Sequence, residues 1–150
     1  MPAGAVLIAA VLLGLALGPL TGPTGANGGP VATASARQGH RVPGCAVRYR
    51  VRSVWDIGFT VDVTLTNTGP AAVSAWVLTF TFPDDQRVVQ GWNGSFAQSG
   101  SRVTVRNADY NAQLTPDRSA TLGFNGSYQE QNGAPRAFTL NGVACAETDG

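Results

Sequence analysis

The sequence predicts an all-β protein, an antiparallel β-sandwich of immunoglobulin-like or jelly-roll type. Three observations carry that prediction. Beyond residue 45 the large apolar residues recur at every second position in short runs, the period of a half-buried strand rather than of a helix. Each run is bounded by Gly, Pro, Asn, Asp or Ser, the residues that build turns. Many short strands with regular punctuation pack as two sheets face to face.

The first alternating run sets Val47, Tyr49 and Val51 against Arg48, Arg50 and Arg52. The arginine side reads as a solvated, charged strand edge that resists pairing with another chain. In residues 59–67, Phe59, Val61, Val63 and Leu65 alternate with Thr60, Asp62, Thr64 and Thr66, and Asn67-Thr68-Gly69-Pro70 makes the turn. The run over residues 76–82 is the most apolar. Trp76, Leu78, Phe80 and Phe82 share one parity, and burying them contributes about 1.5–3 kcal/mol each. They are expected to form the core spine. Pro83 has no backbone donor and ends the strand with Asp84-Asp85. Further strands are expected over residues 87–90, 94–98, 102–107, 120–125 and 137–140. Asn-Gly pairs beginning at Asn93, Asn125, Asn132 and Asn141 supply turns.

The chain of 150 residues contains 19 Gly and 9 Pro, which suits one domain of about 100 residues with an N-terminal extension. Residues 5–20 are almost wholly apolar. That run falls short of the ~20 residues of a spanning helix and fits the apolar region of an export signal, although Met1-Pro2-Ala3-Gly4 carries no Lys or Arg. Cleavage is expected after Ala26 or after Ala36, so residues 1–36 read as signal peptide and processing region and residues 37–44 as a flexible lead-in. The only cysteines are Cys45 and Cys145, and in an exported chain they are expected to pair. Closing a loop of about 100 residues contributes roughly 4.7 kcal/mol in the chain-entropy account. The bridge brackets a domain over residues 45–145 and leaves 146–150 as a tail. The protein therefore reads as a secreted, extracellular monomer with no stable membrane insertion after processing.

Charge and chemistry exclude several classes. The formal net charge is +1 and the basic residues are spread along the chain, so nucleic acid is not an expected partner. His40 is the only histidine and stands outside the domain, which argues against a metal site or a Ser-His-Asp triad, and no cofactor is expected. Asp84, Asp85 and Asp117 stand in turn contexts, and a domain this small leaves little room for the cleft of a glycosidase. The reading is not an enzyme.

What remains is aromatic. Trp92 sits in Gln90-Gly91-Trp92-Asn93-Gly94-Ser95, and Tyr110 in Asn107-Ala108-Asp109-Tyr110-Asn111-Ala112-Gln113, both among small and polar neighbours. Both are expected at the surface. Trp55 shares the parity of Val47, Tyr49 and Val51, so periodicity alone leaves it open between core and surface. Flat rings among amides suit a sugar, whose ring has apolar C–H faces and a polar rim.

These residues fall into a pattern. From Cys45 to Cys145 the chain resembles the family 2 carbohydrate-binding modules of secreted bacterial cellulases and xylanases. The matching pieces include Trp55-Asp56-Ile57-Gly58-Phe59-Thr60, Thr66-Asn67-Thr68-Gly69, Ala75-Trp76-Val77-Leu78-Thr79-Phe80 and Gln90-Gly91-Trp92. They continue with Val103-Thr104-Val105-Arg106-Asn107, Gly123-Phe124-Asn125-Gly126-Ser127 and Phe138-Thr139-Leu140-Asn141-Gly142. The resemblance implies nine strands, the terminal disulfide, a buried Trp76, and a flat exposed face of Trp55, Trp92 and Tyr110 that stacks on crystalline cellulose. It places Gln90 and Asn125 as polar groups beside that face. Tyr110 stands where the family usually has Trp, and Ser53, Asp62 and Thr121 stand where it often has amides. Trp92 favours the cellulose-binding branch over the xylan-binding one, with chitin or xylan as further partners. The rival reading is a secreted β-sandwich that binds protein or builds a surface structure, having lost its sugar site.

Overall fold

In the computed structural model of the chain, the described residues are 44–149. The expected export signal, both cleavage sites and the lead-in up to residue 43 lie outside them. The eight expected strands become the eight longer strands, and four short strands join them. In chain order they are β1 (Cys45–Trp55), β2 (Gly58–Asn67), β3 (Val73–Ser74), β4 (Val77–Thr81), β5 (Arg87–Trp92) and β6 (Gly94–Ser99). Then follow β7 (Arg102–Asn107), β8 (Gln113–Leu114), β9 (Ser119–Ser127), β10 (Arg136–Leu140), β11 (Val143–Ala144) and β12 (Ala146–Thr148). The expectation of nine strands is thus corrected to twelve, the surplus being pieces of two or three residues. One sheet has the order β12-β1-β2-β9-β5, the other β11-β10-β4-β7-β6, and β3 pairs with β8 as a small ribbon. Every pairing is antiparallel except β1 with β12, which is parallel.

The core lies between the two sheets. Trp76, Leu78, Phe80 and Phe82 are between 0% and 2% exposed, although only Val77–Thr81 is strand. They meet Phe59, Val61, Val63, Leu65, Leu122 and Phe124 from the first sheet. Phe80 packs against Phe82 and Phe138 with centroids 5.4 Å apart in each pair. The indole N–H of Trp76 donates to the carbonyl of Asn111 at 2.7 Å, so the largest core group keeps its one donor satisfied. Cys45 and Cys145 form a disulfide with an S–S distance of 2.02 Å, joining the start of β1 to the residue before β12. Tyr49 is the exception to polar satisfaction: its hydroxyl is buried with no hydrogen-bond partner among the described residues. Burial holds that phenol protonated well above its ordinary value of 10.0.

Three sequence expectations are corrected here. Asn125-Gly126 is not a turn but lies inside β9, where a Cβ on Gly126 would come 2.5 Å from the ring of Phe59. Asn93 and Asn141 do adopt the left-handed turn conformation, with φ of 59° and 48°. The arginines of β1 do not simply guard an edge. β12 covers that edge along Ala46, Val47 and Arg48, and the register of Arg48 with Thr64 and Arg50 with Asp62 sends their side chains out from the face of the sheet. Finally, β1 does not alternate unbroken to Trp55. Its pairing with β2 slips between Val51 and Ser53. Arg52 is the extra residue of this β-bulge, and every later side chain moves to the opposite face. Val51 opposes the buried Val61, whereas Trp55 opposes Gly58 on the outer face.

Candidate functional site

The outer face of the first sheet can be built row by row from its register. One row runs Trp55, Gly58, Ser127, Arg87; the next runs Ser53, Thr60, Asn125, Gln90; the third runs Arg50, Asp62, Gly123, Trp92. A second slip, between Val88 and Gln90, sets Gln90 and Trp92 on this face, with Val89 as the extra residue. Both tryptophans of the face therefore owe their outward aim to a bulge just upstream.

Glycine underlies each indole. A Cβ on Gly123 would lie 2.5 Å from Cζ2 of Trp92 and 2.6 Å from its Cε2, and a Cβ on Gly58 would collide with the same part of Trp55. Each ring rests on the backbone of the neighbouring strand and leaves its other side to solvent, Trp55 being 49% and Trp92 36% exposed. Gly58 and Asp62, the residue opposite Gly123, are four residues apart on β2, which separates the two rings by about 13 Å along the strand.

Tyr110 reaches the face by another route. It sits on the 3-10 turn Asp109–Asn111 and is 75% exposed. Its hydroxyl donates to Oδ1 of Asn93, the residue after Trp92. Asn93 is itself pinned, its Nδ2 donating to the carbonyl of Thr121 at 3.0 Å and its carbonyl accepting from Nδ2 of Asn111 at 2.8 Å. Asn111 also accepts from the backbone N–H of Ala108 at 2.8 Å, closing the turn. The same residue's carbonyl takes the Trp76 indole bond, so the turn that carries Tyr110 is fastened to the core.

Between the indoles lie the polar groups. Asn125 accepts from the hydroxyl of Thr60 at 2.8 Å through Oδ1, which leaves its Nδ2 group as a donor. Gln90 is exposed beside it in the register. Arg52, the extra residue of the bulge, shares the outward side of Arg48 and Arg50 and pairs with Asp62 at 2.7 Å. The structure thus gathers Trp55, Trp92, Gln90 and Asn125 on one sheet face and ties Tyr110 to its rim. Sequence reasoning did not single out Gly58, Gly123, Asn93 or Asn111. Asn93 had a signal in its Asn-Gly pair, whereas Gly123 is recognisable only once its partner Trp92 is known. Among the described residues no group of three or more His, Cys, Asp or Glu side chains could hold a metal ion, and no helix is long and apolar enough to cross a membrane.

Fold and face together define a small β-sandwich binding module that presents rings on an open sheet. Residues 45–145 match the family described as Cellulose binding domain, and the chain belongs to that family, a family of non-catalytic carbohydrate-binding modules. Exoglucanase A of Cellulomonas fimi is 49% identical over 102 residues, which cover 68% of this chain and 12% of that protein. Endoglucanase CelA of Streptomyces lividans is 49% identical over 104 residues, covering 69% of this chain and 22% of that protein. The chain therefore spans less than a quarter of the length of either relative. Among solved structures, the chitin-binding domain of Chi18aC from Streptomyces coelicolor superposes with a TM-score of 0.58 at 32% identity, over 68% of this chain and 94% of that one. The cellulose-binding family 2 domain of ScLPMO10C gives a TM-score of 0.53 at 29% identity, over 71% and 98%.

Proposed function

We propose that this chain is a secreted module that adsorbs to insoluble β-1,4-linked glucan by stacking Trp55, Trp92 and Tyr110 on sugar rings. The observation that carries the reading is the placement of two indoles on Gly58 and Gly123 of one sheet face, each with its outer side open. A stacked pyranose would meet the ring with its C–H face while Gln90 and Asn125 offer amides to its hydroxyls. Rings contributing about 1.5–2 kcal/mol each supply roughly 4–6 kcal/mol, and a few rim hydrogen bonds bring the dissociation constant into the micromolar range. Because the rings are uncharged, adsorption to plain cellulose is expected to vary little with salt. Export is supported by the apolar run over residues 5–20 and by the disulfide.

Chitin is the second ligand, supported by the likeness to the Chi18aC chitin-binding domain. A pull-down of the purified chain on microcrystalline cellulose, chitin and xylan tests the reading. The expected result is retention on cellulose above that on protein-coated inert beads. Retention no greater than on the beads would favour a protein-binding or structural sandwich.

A further inference from the structure

The arginines of β1 lie on the face that carries the rings. Arg48, Arg50, Asp62, Thr64 and Thr121 line a shallow cleft of about 100 Å³. It lies beside the row of Asp62, Gly123 and Trp92, since Thr64 and Thr121 form the next pair along β2 and β9. The one carboxylate in the cleft, Asp62, is engaged by Arg52 at 2.7 Å. Among the described residues that is the only ion pair, so Arg48 and Arg50 have no carboxylate partner there. The acidic residues of β12 do not supply one. Glu147 has the parity of Val47 and accepts from the N–H of Ala137 on the second sheet, and Asp149 lines a different cavity with Tyr49 and Phe138.

The charge of this cleft is local. Residues 44–149 contain eight arginines against nine carboxylates, so the described part of the chain is not a general cation. Two exposed guanidiniums stand beside the hydroxyls of Thr64 and Thr121, with the Asp62 carboxylate of the cleft engaged by Arg52, and guanidinium favours carboxylate through its planar fork.

We propose that the Arg48–Arg50 cleft receives the carboxylate of an acidic sugar unit, so that the module prefers β-1,4-glycans carrying uronic acid or C6-oxidised residues. This inference rests on the proposed sugar-stacking face, because Trp92 would hold the chain that delivers the carboxylate. It assigns Arg48 and Arg50 as specificity-determining residues, with no part in holding neutral cellulose.

The test is a set of adsorption isotherms for the full chain on microcrystalline cellulose, untreated and after oxidation of its surface C6 groups to carboxylates. They are measured at about 0.01 M and about 1 M NaCl, where screening lengths are about 30 Å and about 3 Å. At low salt the wild type is expected to bind the carboxylated surface about fivefold more tightly than the untreated one, as suits two exposed ion pairs. The preference should vanish at high salt and in Arg48→Gln/Arg50→Gln, while binding to untreated cellulose stays unchanged. Arg102→Gln/Arg106→Gln on β7 of the other sheet should keep it. A preference that survives Arg48→Gln/Arg50→Gln, or is lost equally in the β7 variant, overturns the proposal. So does wild type that binds both surfaces alike. Failure to adsorb to either surface would overturn the stacking reading as well, whereas Arg-dependent adsorption to the carboxylated surface alone would contradict only the stacking reading.

Discussion

Hydrogen is the side chain that lets an indole lie against a strand. At Gly123 the nearest atoms to an added methyl would be Cζ2, Cε2 and Nε1 of Trp92, at 2.5, 2.6 and 2.7 Å, inside any real carbon contact, so Gly123→Ala must lift or tilt the ring. Adsorption to cellulose is expected to weaken by about tenfold, one ring's share, while the thermal midpoint barely moves. Unchanged adsorption would place Trp92 outside the contact surface. Tyr49 tests the opposite kind of residue, a buried hydroxyl without a partner. Tyr49→Phe removes that desolvated group and is expected to leave stability unchanged or raise it by about 1 kcal/mol. Its pH signature has a defined sign. The phenol's value is raised on folding above 10.0, so the unfolded state loses its proton first. The stability associated with Tyr49 is whole below pH 10.0 and drains away as pH rises beyond it. Thermal melts at rising alkaline pH should therefore fall more steeply for the wild type than for Tyr49→Phe; equal slopes would contradict the assignment.

At the scale of elements, two single-residue bulges decide which way the tryptophans face. Period-two reading is clearest where one face lies in the core, as in β2, whose Phe59, Val61, Val63 and Leu65 are all fully buried. Parity counted from Val47 to Trp55 fails for the same reason that it usually works. It assumes no inserted residue, and Arg52 is one. The family resemblance, not the alternation, put Trp55 on the surface. The short strands β3, β8, β11 and β12 were illegible because pairs such as Val73-Ser74 and Gln113-Leu114 are too brief to show a period. The turn that holds Tyr110 escaped notice because its bonds join Asn93 to Asn111, which are distant in sequence. Deleting Arg52 removes the extra residue and should restore unbroken alternation with Val51 and Val54 inward and Ser53 and Trp55 still outward. The expected outcome is tryptophan emission and cellulose adsorption like the wild type. A shift of emission to shorter wavelength together with lost adsorption would show that Arg52 is not the residue that sets the ring's direction.

On the scale of the whole molecule, the disulfide ties the two ends of the sandwich and the core tryptophan ties the core to the rim of the face. Cys45 and Cys145 are separated by 100 residues, so Cys45→Ser/Cys145→Ser is expected to cost about 3–5 kcal/mol in denaturant titration. A loss under 1 kcal/mol would mean that the unfolded chain is already constrained without the bridge. The adsorbing face should survive wherever the variant remains folded, because no ring of the face touches the bridge directly through the register of the sheet. That separation of stability from recognition is what an open binding face on a rigid sandwich implies. The central claim, that exposed rings on the first sheet hold cellulose, is tested most directly by the adsorption isotherm of Trp92→Ala on microcrystalline cellulose, with circular dichroism confirming an intact fold. Trp92→Ala is expected to lose affinity at least about tenfold; wild-type retention by the well-folded variant would overturn the stacking face.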